Sequence, residues 1–541
     1  MKRLIAFLLM TVMLLTSLTA CGTPTTDDAS AGEDTAAQTA EPESSDTTAQ
    51  ELQANPDEST DTTESTSTAA APKYVFLFIG DGMSYPQFQA TSDYLGALAD
   101  EDYMLAEPSL DDNQGAVLDG PVALNFMNFE AAGSAVTYDS NSFAPDSAST
   151  ATSISTGHKT YSGTINMDET GTTAYETIAE KLHEQMGWKI GVITSVNLNH
   201  ATPAAFYAHQ ASRNDYYEIG LELVESDFEY FAGGGLLDPT GSEGDQTDLY
   251  ELAADAGYTV VNTQADAEAI SAEDEKVLLI GEQLADADSL DYELDREEGT
   301  WALADYVSKG IEVLDNDEGF FMMCEGGKID WACHANDAAS TINDTLALAD
   351  AVQVAIDFAA EHPDETLILV TGDHETGGLT IGFAGTDYDT YLSMLENQTI
   401  SFIQFDEQYV NAYKENGTSF EEAMADVEEL FGLKLEGEED DRLVLTDYEV
   451  ERLRTAYELS MTDYDASTYT QEQYVLYGTY NPFSVTITHI LNNKSGVDFT
   501  SYSHTGLPVA VFADGVGAEN FNGYYDNTDI YNKLAALTGV Q

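Results

Sequence analysis

Basic residues are scarce in this chain of 541 residues. Only 18 Lys and Arg stand against 98 Asp and Glu, which gives a formal net charge of −80 at pH 7. A surface of this sign repels polyanions, so the charge argues against a protein that binds nucleic acid or anionic lipid surfaces. The simplest interpretation is an adaptation for solubility or high salt. An anionic substrate would need a locally positive site, which an arginine and metal cations could supply.

Cysteine and histidine are also rare, with three Cys and nine His. Cys324 and Cys333 are separated by eight residues, a spacing that does not match a zinc finger. A disulfide between them would require a suitable geometry. We expect instead two buried, unpaired thiols.

The first 72 residues are typical of an exported, tethered protein. Lys2 and Arg3 precede an apolar run at 4–15, as in a signal peptide, and this run is short for a membrane span. The end of the segment, Leu-Thr-Ala-Cys21, resembles a bacterial lipobox, which implies removal of residues 1–20 and lipidation of Cys21. Residues 22–72 contain no Lys, Arg or aromatic residue. We therefore expect residues 21–72 to form a disordered tether. The protein would be extracytoplasmic and anchored in the lipid bilayer, at the cell surface or in the periplasm.

From residue 73 to 541, apolar runs alternate with helical patterns. The run 74–79 is continuously apolar and bounded by Gly, as expected of a strand buried on both faces. The alternation predicts an α/β fold with a central, mostly parallel sheet covered by helices on both faces. The further strand candidates are 189–194, 277–280, 320–323, 367–370 and 509–512, and helical patterns include 175–186, 301–314 and 338–360.

Two segments interrupt this alternation. Residues 386–498 contain helix candidates at 419–431 and 447–459 and an acidic run at 436–441. We interpret this segment as an inserted cap or subdomain, although a surface excursion without a catalytic role fits the pattern equally well. Residues 89–125 form a second, smaller insertion by the same criterion.

Side chains that can bind metals follow four of the predicted strands. In α/β sheets, ligands bind outside the carboxyl ends of the strands. Oxygen and imidazole ligands suit a borderline divalent metal such as zinc. With so few histidines in the chain, this placement predicts a site at one edge of the sheet. The residues concerned are Asp81, His200 with Thr202, Glu325, and Asp373 with His374.

Glu325, Asp330 and His334 lie within ten residues, where a predicted strand gives way to a helix. Asp330 and His334 are four apart and would share one helix face. Such a pair is more often a solvated helix face than a pair of ligands, so its interpretation depends on what the rest of the chain supplies.

Ser147 is a candidate nucleophile. It follows Asp146 and opens a run of small residues that can form a helix. Backbone N–H groups at a helix N-terminus favour an approaching phosphate, although by itself a helix cap is the simpler interpretation. The chain has no G-x-S-x-G motif and no evident histidine base. A nucleophilic Ser147 would therefore need activation by a metal.

Together these motifs resemble the alkaline phosphatase family and occur in that family's order over most of residues 73–541. The resemblance implies an alkaline-phosphatase-like fold and hydrolysis of phosphate monoesters, through a phosphoserine, to alcohol and inorganic phosphate. Broad-specificity phosphate scavenging and a homodimer are implied as well. The matching motifs are Ile-Gly-Asp81-Gly, Asp146-Ser-Ala, His200-Ala-Thr-Pro, Arg213, Glu325-Gly-Gly-Lys-Ile-Asp-Trp-Ala-Cys-His334, Thr-Gly-Asp373-His-Glu-Thr-Gly-Gly and His504-Thr-Gly.

The resemblance also implies a role for each site residue. Ser147 would be the nucleophile, and Arg213 would bind two phosphate oxygens. The metals would be two zinc ions and one magnesium ion, which match the nitrogen and oxygen ligands available. Their ligands would be Asp330, His334 and His504 for the first zinc; Asp81, Asp373 and His374 for the second zinc; and Asp81, Thr202 and Glu325 for magnesium.

Three further residues are expected to support the site from outside the metal shell: Asp146, His200 and Trp331. His200 stands where some members of the family carry Asp, and Trp331 where some carry Lys. Because His200 would lie near the third metal, magnesium is less firmly implied than zinc.

Two other functions compete with this interpretation. A diesterase or sulfatase of the same superfamily is one, but Arg213, Thr202 and Glu325 favour a doubly charged monoester, and the sulfatase motif Cys/Ser-x-Pro-x-Arg is absent. A non-catalytic surface lipoprotein is the other. Loss of Ser147 or of a zinc ligand would have favoured it, and none is lost.

Overall fold

The computed structural model describes residues 71–99, 118–438 and 441–541. All of them belong to one compact unit, Ser67–Gln541. The expected signal peptide, most of the tether and Cys21 lie outside the described residues, as do residues 100–117 of the smaller insertion. Within the described part, no helix combines the length and the apolar character needed to cross a membrane.

A ten-stranded sheet forms the centre of the fold, in the order β14-β2-β13-β8-β1-β7-β3-β4-β6-β5. Strand β13 runs antiparallel to β2 and β8, and the other neighbouring pairs are parallel. The predicted mostly parallel sheet is therefore confirmed. The strands are β1 (Tyr74–Gly80), β2 (Ala131–Val136), β3 (Lys189–Thr194), β4 (Tyr230–Gly233), β5 (Thr259–Val261), β6 (Val277–Ile280), β7 (Phe320–Gly326), β8 (Thr366–Gly372), β9 (Glu375–Thr376), β10 (Thr380–Ile381), β11 (Val497–Asp498), β12 (His504–Thr505), β13 (Val509–Gly515) and β14 (Gly523–Asp526).

Helices cover both faces of this sheet. They are α1 (Tyr85–Ala99), α2 (Ser147–Thr156), α3 (Ile178–Lys181), α4 (Ala201–Ala204), α5 (Tyr216–Glu225), α6 (Leu249–Asp255), α7 (Gln264–Ala267), α8 (Leu303–Leu314), α9 (Lys328–His334), α10 (Ala338–Glu361), α11 (Phe402–Phe405), α12 (Asn411–Asn416), α13 (Phe420–Phe431), α14 (Asp447–Ser460), α15 (Gln471–Tyr477), α16 (Pro482–Ser495) and α17 (Thr528–Thr538).

The packing of strand β1 explains why its sequence is apolar throughout. Successive side chains of a strand point to opposite faces, and both faces are packed here. Phe76 and Phe78 join an apolar cluster with residues of α8 and α10. Leu77 and Ile79 join a second cluster with residues of α2 and α17. The helices on both faces, predicted from the sequence, are confirmed.

The segment 386–498 contains helices α11 to α16 and the short strand β11. Its buried residues Phe405, Phe431 and Phe483 belong to the same apolar cluster as Phe76. The segment therefore extends the helical layer on one face of the sheet and shares its core.

Strands β8, β1, β7 and β3 are consecutive neighbours in the sheet. In register, Ile79 of β1 pairs with Glu325 of β7, and Glu325 pairs with Thr194 of β3. Gly80 pairs with Gly372 of β8. This register brings the residues that follow β1 and β8 to the edge of the sheet where Glu325 lies, although they are hundreds of positions apart in the chain.

The two cysteines of the domain are free and buried, as expected. Cys324 lies on β7, and Cys333 lies on α9 within reach of the Thr341 hydroxyl, at 3.5 Å.

Candidate active site

Ser147 is the first residue of α2 and is 1% exposed. Asp146 caps this helix, since its side chain accepts a hydrogen bond from the Ser149 N–H at 3.1 Å. The Ser147 Oγ lies 3.2 Å from His374 Nε2 and 3.5 Å from Asp81 Oδ1. The helix N-terminus therefore places the hydroxyl in contact with two of the expected metal ligands.

Asp81, Asp373 and His374 form the first of three groups. They follow β1 and β8, and all three side chains are fully buried. His374 Nε2 lies 3.3 Å from Asp81 Oδ1 and 3.4 Å from Asp373 Oδ2. Burial raises the pKa of Asp373 to about 7, and burial together with the Asp373 carboxylate raises that of Asp81. A cation at this point would relieve the cost of keeping these carboxylates ionised.

Asp330, His334 and His504 form the second group. His334 Nε2 lies 3.3 Å from Asp330 Oδ2 and 3.1 Å from His504 Nε2, and His504 Nε2 lies 3.6 Å from Asp330 Oδ1. The opposite ring nitrogens are fixed by backbone carbonyls, His334 Nδ1 by Tyr502 at 2.7 Å and His504 Nδ1 by Pro145 at 2.5 Å. These hydrogen bonds orient the two rings so that both Nε2 atoms face a common point, as in zinc sites.

Asp330 differs from Asp81, Glu325 and Asp373, because its pKa is lowered whereas the pKa values of those carboxyls are raised. Burial opposes its ionisation, but the neighbouring His334 and the other histidines hold its pKa well below the usual range. The two zinc groups meet at this residue, because one ligand atom each from Asp81, Asp330 and His374 also lies within 4.8 Å of the others. Asp330 Oδ1 accepts a hydrogen bond from Thr376 at 2.5 Å. Gly82, with a φ of +70°, permits this approach, since a Cβ there would lie 3.0 Å from the Asp330 backbone.

The third group contains Asp81, Thr202 and Glu325, and His200 lies beside it. Thr202 Oγ1 donates to Asp81 Oδ2 at 3.3 Å. One ligand atom each from Asp81, His200 and Glu325 lies within 4.8 Å of the others. Glu325 Oε1 and His200 Nδ1 are buried without a hydrogen-bond partner among the described residues, and burial raises the pKa of Glu325 to about 7. The unpartnered carboxylate oxygen of Glu325 fits a bound cation.

Arg213 lies beside Ser147 and is held from two sides. Its Nη1 donates to Asp146 Oδ2 at 3.0 Å, and its Nη2 lies 3.0 Å from His200 Nε2. Trp331 packs edge-on against the His200 ring, with 6.0 Å between the ring centroids. The three supporting residues named from the sequence therefore form one contact chain through Arg213: Asp146, His200 and Trp331.

Three threonines also contact the expected ligands, and the sequence analysis missed them. Thr150 Oγ1 donates to Asp373 Oδ2 at 3.0 Å, and Thr376 Oγ1 lies 3.2 Å from His374 Nδ1 in addition to its bond to Asp330. Thr194, the last residue of β3, donates to Glu325 Oε2. Only their positions in the sequence could have indicated these contacts. Thr150 lies one turn after Ser147, Thr376 lies two residues after His374, and Thr194 ends a strand.

The three groups match the chemistry of the expected metals. Two sets of carboxylate and imidazole ligands suit zinc. The oxygen set of Asp81, Thr202 and Glu325 suits magnesium, whereas the nearby His200 nitrogen broadens the choice of metal.

Comparison with known proteins gives matches among the alkaline phosphatases. Residues 72–540 match the family model for alkaline phosphatase. The chain is 29% identical over 471 residues to alkaline phosphatase 3 of Bacillus subtilis, covering 85% of this chain and 87% of that protein. It is 28% identical over 395 residues to alkaline phosphatase 4 of the same organism, covering 72% of this chain and 75% of that protein.

Solved structures show the same likeness. A cold-active alkaline phosphatase from Shewanella sp. superimposes with a TM-score of 0.66 at 26% identity, covering 86% of this chain and 99% of that chain. The Thermus thermophilus alkaline phosphatase shares the fold, with a TM-score of 0.69 at 23% identity over 87% of this chain and 92% of that chain. The family model spans nearly all the described residues, and the chain belongs to the alkaline phosphatase family.

Proposed function

We propose that the protein hydrolyses phosphate monoesters through a covalent phosphoserine at Ser147. The observation that carries this proposal is the position of the Ser147 hydroxyl at the N-terminus of α2, 3.2 Å from His374 Nε2 and 3.5 Å from Asp81 Oδ1. Free N–H groups at a helix N-terminus favour a phosphate. Arg213, held by Asp146, supplies the fixed positive charge that an anionic substrate needs in this acidic protein.

Three metal ions complete the proposed site. One zinc would be held by Asp330, His334 and His504, and the other by Asp81, Asp373 and His374. Magnesium would be held by Asp81, Thr202 and Glu325. When bound, these ions would lower the pKa of the Ser147 hydroxyl and of a water molecule and would neutralise charge on the transferring phosphoryl group.

The chain's own residues act in two steps. In the first, the Ser147 Oγ gives its proton to solvent water and bonds to phosphorus while the ester P–O bond breaks, and the leaving alkoxide takes a proton from solvent. In the second, water attacks the phosphoserine, releases inorganic phosphate and returns the proton to Ser147. Arg213 would hold two phosphate oxygens through both steps, because its planar guanidinium matches them in pairs.

The proposed magnesium group differs from the two zinc groups in its ligands, which are mainly oxygen atoms. His200 adds a nitrogen beside the oxygen ligands of this group. Solved neighbours include a variant of the TAB5 alkaline phosphatase, with a histidine replaced by glutamate, that has Mg bound in its M3 site, at 25% identity and a TM-score of 0.57 over 87% of this chain and 99% of that chain. That variant has a carboxylate in place of a histidine, which supports magnesium for the oxygen ligands Asp81, Thr202 and Glu325.

Turnover of 4-nitrophenyl phosphate and of bis(4-nitrophenyl) phosphate tests the proposal. Arg213 and the third metal group are matched to a doubly charged monoester, so kcat/KM should be much larger for the monoester. A wide preference for the diester would instead identify a phosphodiesterase of the same superfamily.

We further propose that the protein is an exported lipoprotein and forms a homodimer. A signal peptide at residues 1–20, lipidation at Cys21 and a tether at residues 21–72 are supported by the sequence pattern. The proposed catalytic domain is residues 73–541 with residues 386–498 as its insertion. Dimerisation is supported by the resemblance to the alkaline phosphatase family.

A further inference from the structure

A groove of about 460 Å³ lies between the active site and the segment 386–498. Its floor is formed by Trp331 and His334, and its outer wall by Phe402, Tyr464 and Tyr480 of the segment. The volume falls within the range of small-molecule sites, roughly 300–1,000 Å³.

The groove borders the proposed site of reaction at His334, which lines it. His334 Nε2 lies 3.1 Å from His504 Nε2, and the rings of His504 and His374 stack with 3.7 Å between centroids. His374 in turn touches Ser147 at 3.2 Å. On the other side, Trp331 packs on His200, which contacts Arg213. A group attached to a phosphate at Ser147 therefore has the groove within reach.

Aromatic rings form a fixed wall in this groove. Phe402 and Tyr480 meet edge to face with 5.5 Å between centroids, and Phe402 meets Tyr292 in the same way at 6.0 Å. Tyr480 also packs against Tyr502, with 6.1 Å between centroids, and the Tyr502 carbonyl holds His334. Trp331, Tyr464 and Tyr480 are each partly exposed. Lys328 lies over the Trp331 ring at 4.8 Å, and the Tyr464 ring already contacts Lys414 and Tyr469, so Tyr480 offers the main ring surface for stacking.

The charge of the groove is nearly balanced, in contrast to that of the whole protein. Asp286 is paired with the buried Lys328 at 3.1 Å. Asp406 is opposed by Lys414, whose ammonium lies over the Tyr464 ring at 5.1 Å. The walls therefore suit a neutral, flat group better than a second anion.

We propose that this groove binds the leaving group of the substrate and selects phosphate monoesters whose alcohol carries a flat aromatic or heteroaromatic ring. The inference rests on the proposed phosphomonoesterase activity and gives the segment 386–498 a role in specificity. The ring would stack against the partly exposed Tyr480 and lie beside Tyr464 while the phosphate lies at Ser147 and Arg213.

Adenosine 5′-monophosphate and ribose 5-phosphate make a matched pair of probes. Both release a primary alcohol, so the base is the main difference between them. We expect kcat/KM of the zinc- and magnesium-loaded enzyme to be roughly tenfold higher for adenosine 5′-monophosphate, on the scale that stacking of one base on aromatic side chains supplies.

The variants Tyr464→Ala and Tyr480→Ala test the wall of the groove. Each should reduce the ratio of the two kcat/KM values towards one. Tyr448→Ala is the control, because Tyr448 is an exposed tyrosine of the same segment that does not line this groove. It should leave the ratio unchanged. A wild-type ratio near one, or equal losses for both substrates in the two groove variants, would overturn the proposal.

A binding measurement separates this inference from the proposed function. The metal-loaded Ser147→Ala variant is titrated calorimetrically with each of the two phosphates, alone and combined with Tyr464→Ala. Tighter binding of adenosine 5′-monophosphate that Tyr464→Ala removes would support the groove even if wild-type turnover were absent, which would contradict only the proposed function. Equal affinities for the two ligands would contradict the groove.

Discussion

Arg213 donates a hydrogen bond to Asp146, the residue immediately before the proposed nucleophile, with 3.0 Å between Nη1 and Oδ2. The same carboxylate caps helix α2 through the Ser149 N–H and accepts the Gly163 N–H at 2.9 Å. Burial raises the pKa of Asp146, but Arg213 and these hydrogen bonds outweigh it and keep the pKa below its usual value. One side chain therefore fixes both the nucleophile's helix and the group proposed to hold phosphate.

Asp146→Asn should weaken the binding of phosphate. The amide has only one acceptor oxygen, so it cannot serve both Arg213 and the helix cap, and the charge that orients the guanidinium is lost. We expect the inhibition constant of inorganic phosphate to rise by about tenfold, the equivalent of one hydrogen bond to a charged group. Asp364→Asn, an exposed carboxylate just before β8 at the opposite edge of the sheet, is the control. An unchanged constant in Asp146→Asn would show that Asp146 does not position Arg213.

Ser147→Ala should abolish the phosphoenzyme. With no hydroxyl at the start of α2, radiolabelled phosphate trapped by acid quenching should not remain bound to the protein, and turnover should fall by several orders of magnitude. Ser153→Ala is a matched control in the same helix, since within the described residues its hydroxyl bonds only the Ser149 carbonyl, at 3.0 Å. Trapped label in the alanine variant at position 147 would assign the nucleophile to another residue.

Removal of metal should inactivate and destabilise the protein. Asp81, Asp373 and Glu325 are buried together, and ionising them without a cation is costly. Dialysis against a chelator should therefore abolish turnover and lower the thermal midpoint, and zinc should restore both. The variant Asp330→Asn lacks a carboxylate that two metal groups share. Zinc should therefore raise its thermal midpoint less than it raises that of the wild type. An equal rise in both proteins would contradict the assignment of Asp330 as a ligand.

His200→Asp should strengthen binding of magnesium. It replaces an imidazole beside Asp81 and Glu325 with a hard oxygen ligand, which magnesium prefers. The concentration of magnesium that gives half-maximal activation should fall in the zinc-loaded variant. His362→Asp, at the end of α10 away from these groups, serves as the control. If both variants respond to magnesium as the wild type does, His200 lies outside the influence of the third metal.

The sequence predicted the ligands better than it predicted their contacts. Asp81, Glu325 and Asp373 could be placed at one edge of the sheet because apolar runs end directly before or at them and the carboxyl ends of parallel strands meet there. The order of the strands was not predictable, because His374 and His504 are 130 positions apart and only the folded sheet makes their rings stack. That order decides which ligands share a metal.

Uncharged residues at the site left no recognisable pattern. Thr150, Thr194 and Thr376 contact the ligands, but threonine is common and carries no charge that would mark it. The aromatic groove was hidden for a related reason. Trp331, Phe402 and Tyr480 are widely separated in sequence and meet only because α11 and α16 pack over the sheet.

His209 provides a pH-dependent contribution to stability away from the metal groups. Its Nδ1 lies 3.2 Å from Glu222 Oε2, and its Nε2 lies 3.4 Å from Glu180 Oε2. Burial lowers its pKa, but the two carboxylates more than compensate and raise it to about 10. The folded pKa of His209 is above the unfolded value of about 6.5. The stabilisation that protonated His209 gives the fold is therefore fully present below about pH 6.5. The contribution is lost as the pH rises through about 10.

His209→Gln should therefore destabilise the protein by about 2 kcal/mol near pH 6, the scale of hydrogen bonds between charged groups. The measurement is the difference in thermal unfolding midpoint between the zinc-loaded wild type and the variant, taken at several values from about pH 6 to pH 10. This difference should shrink steadily as the pH rises. Glu222→Gln, which removes one of the two carboxylates, should show a smaller difference with the same trend. A difference that grows towards high pH would have the wrong sign for a histidine that is charged in the folded state.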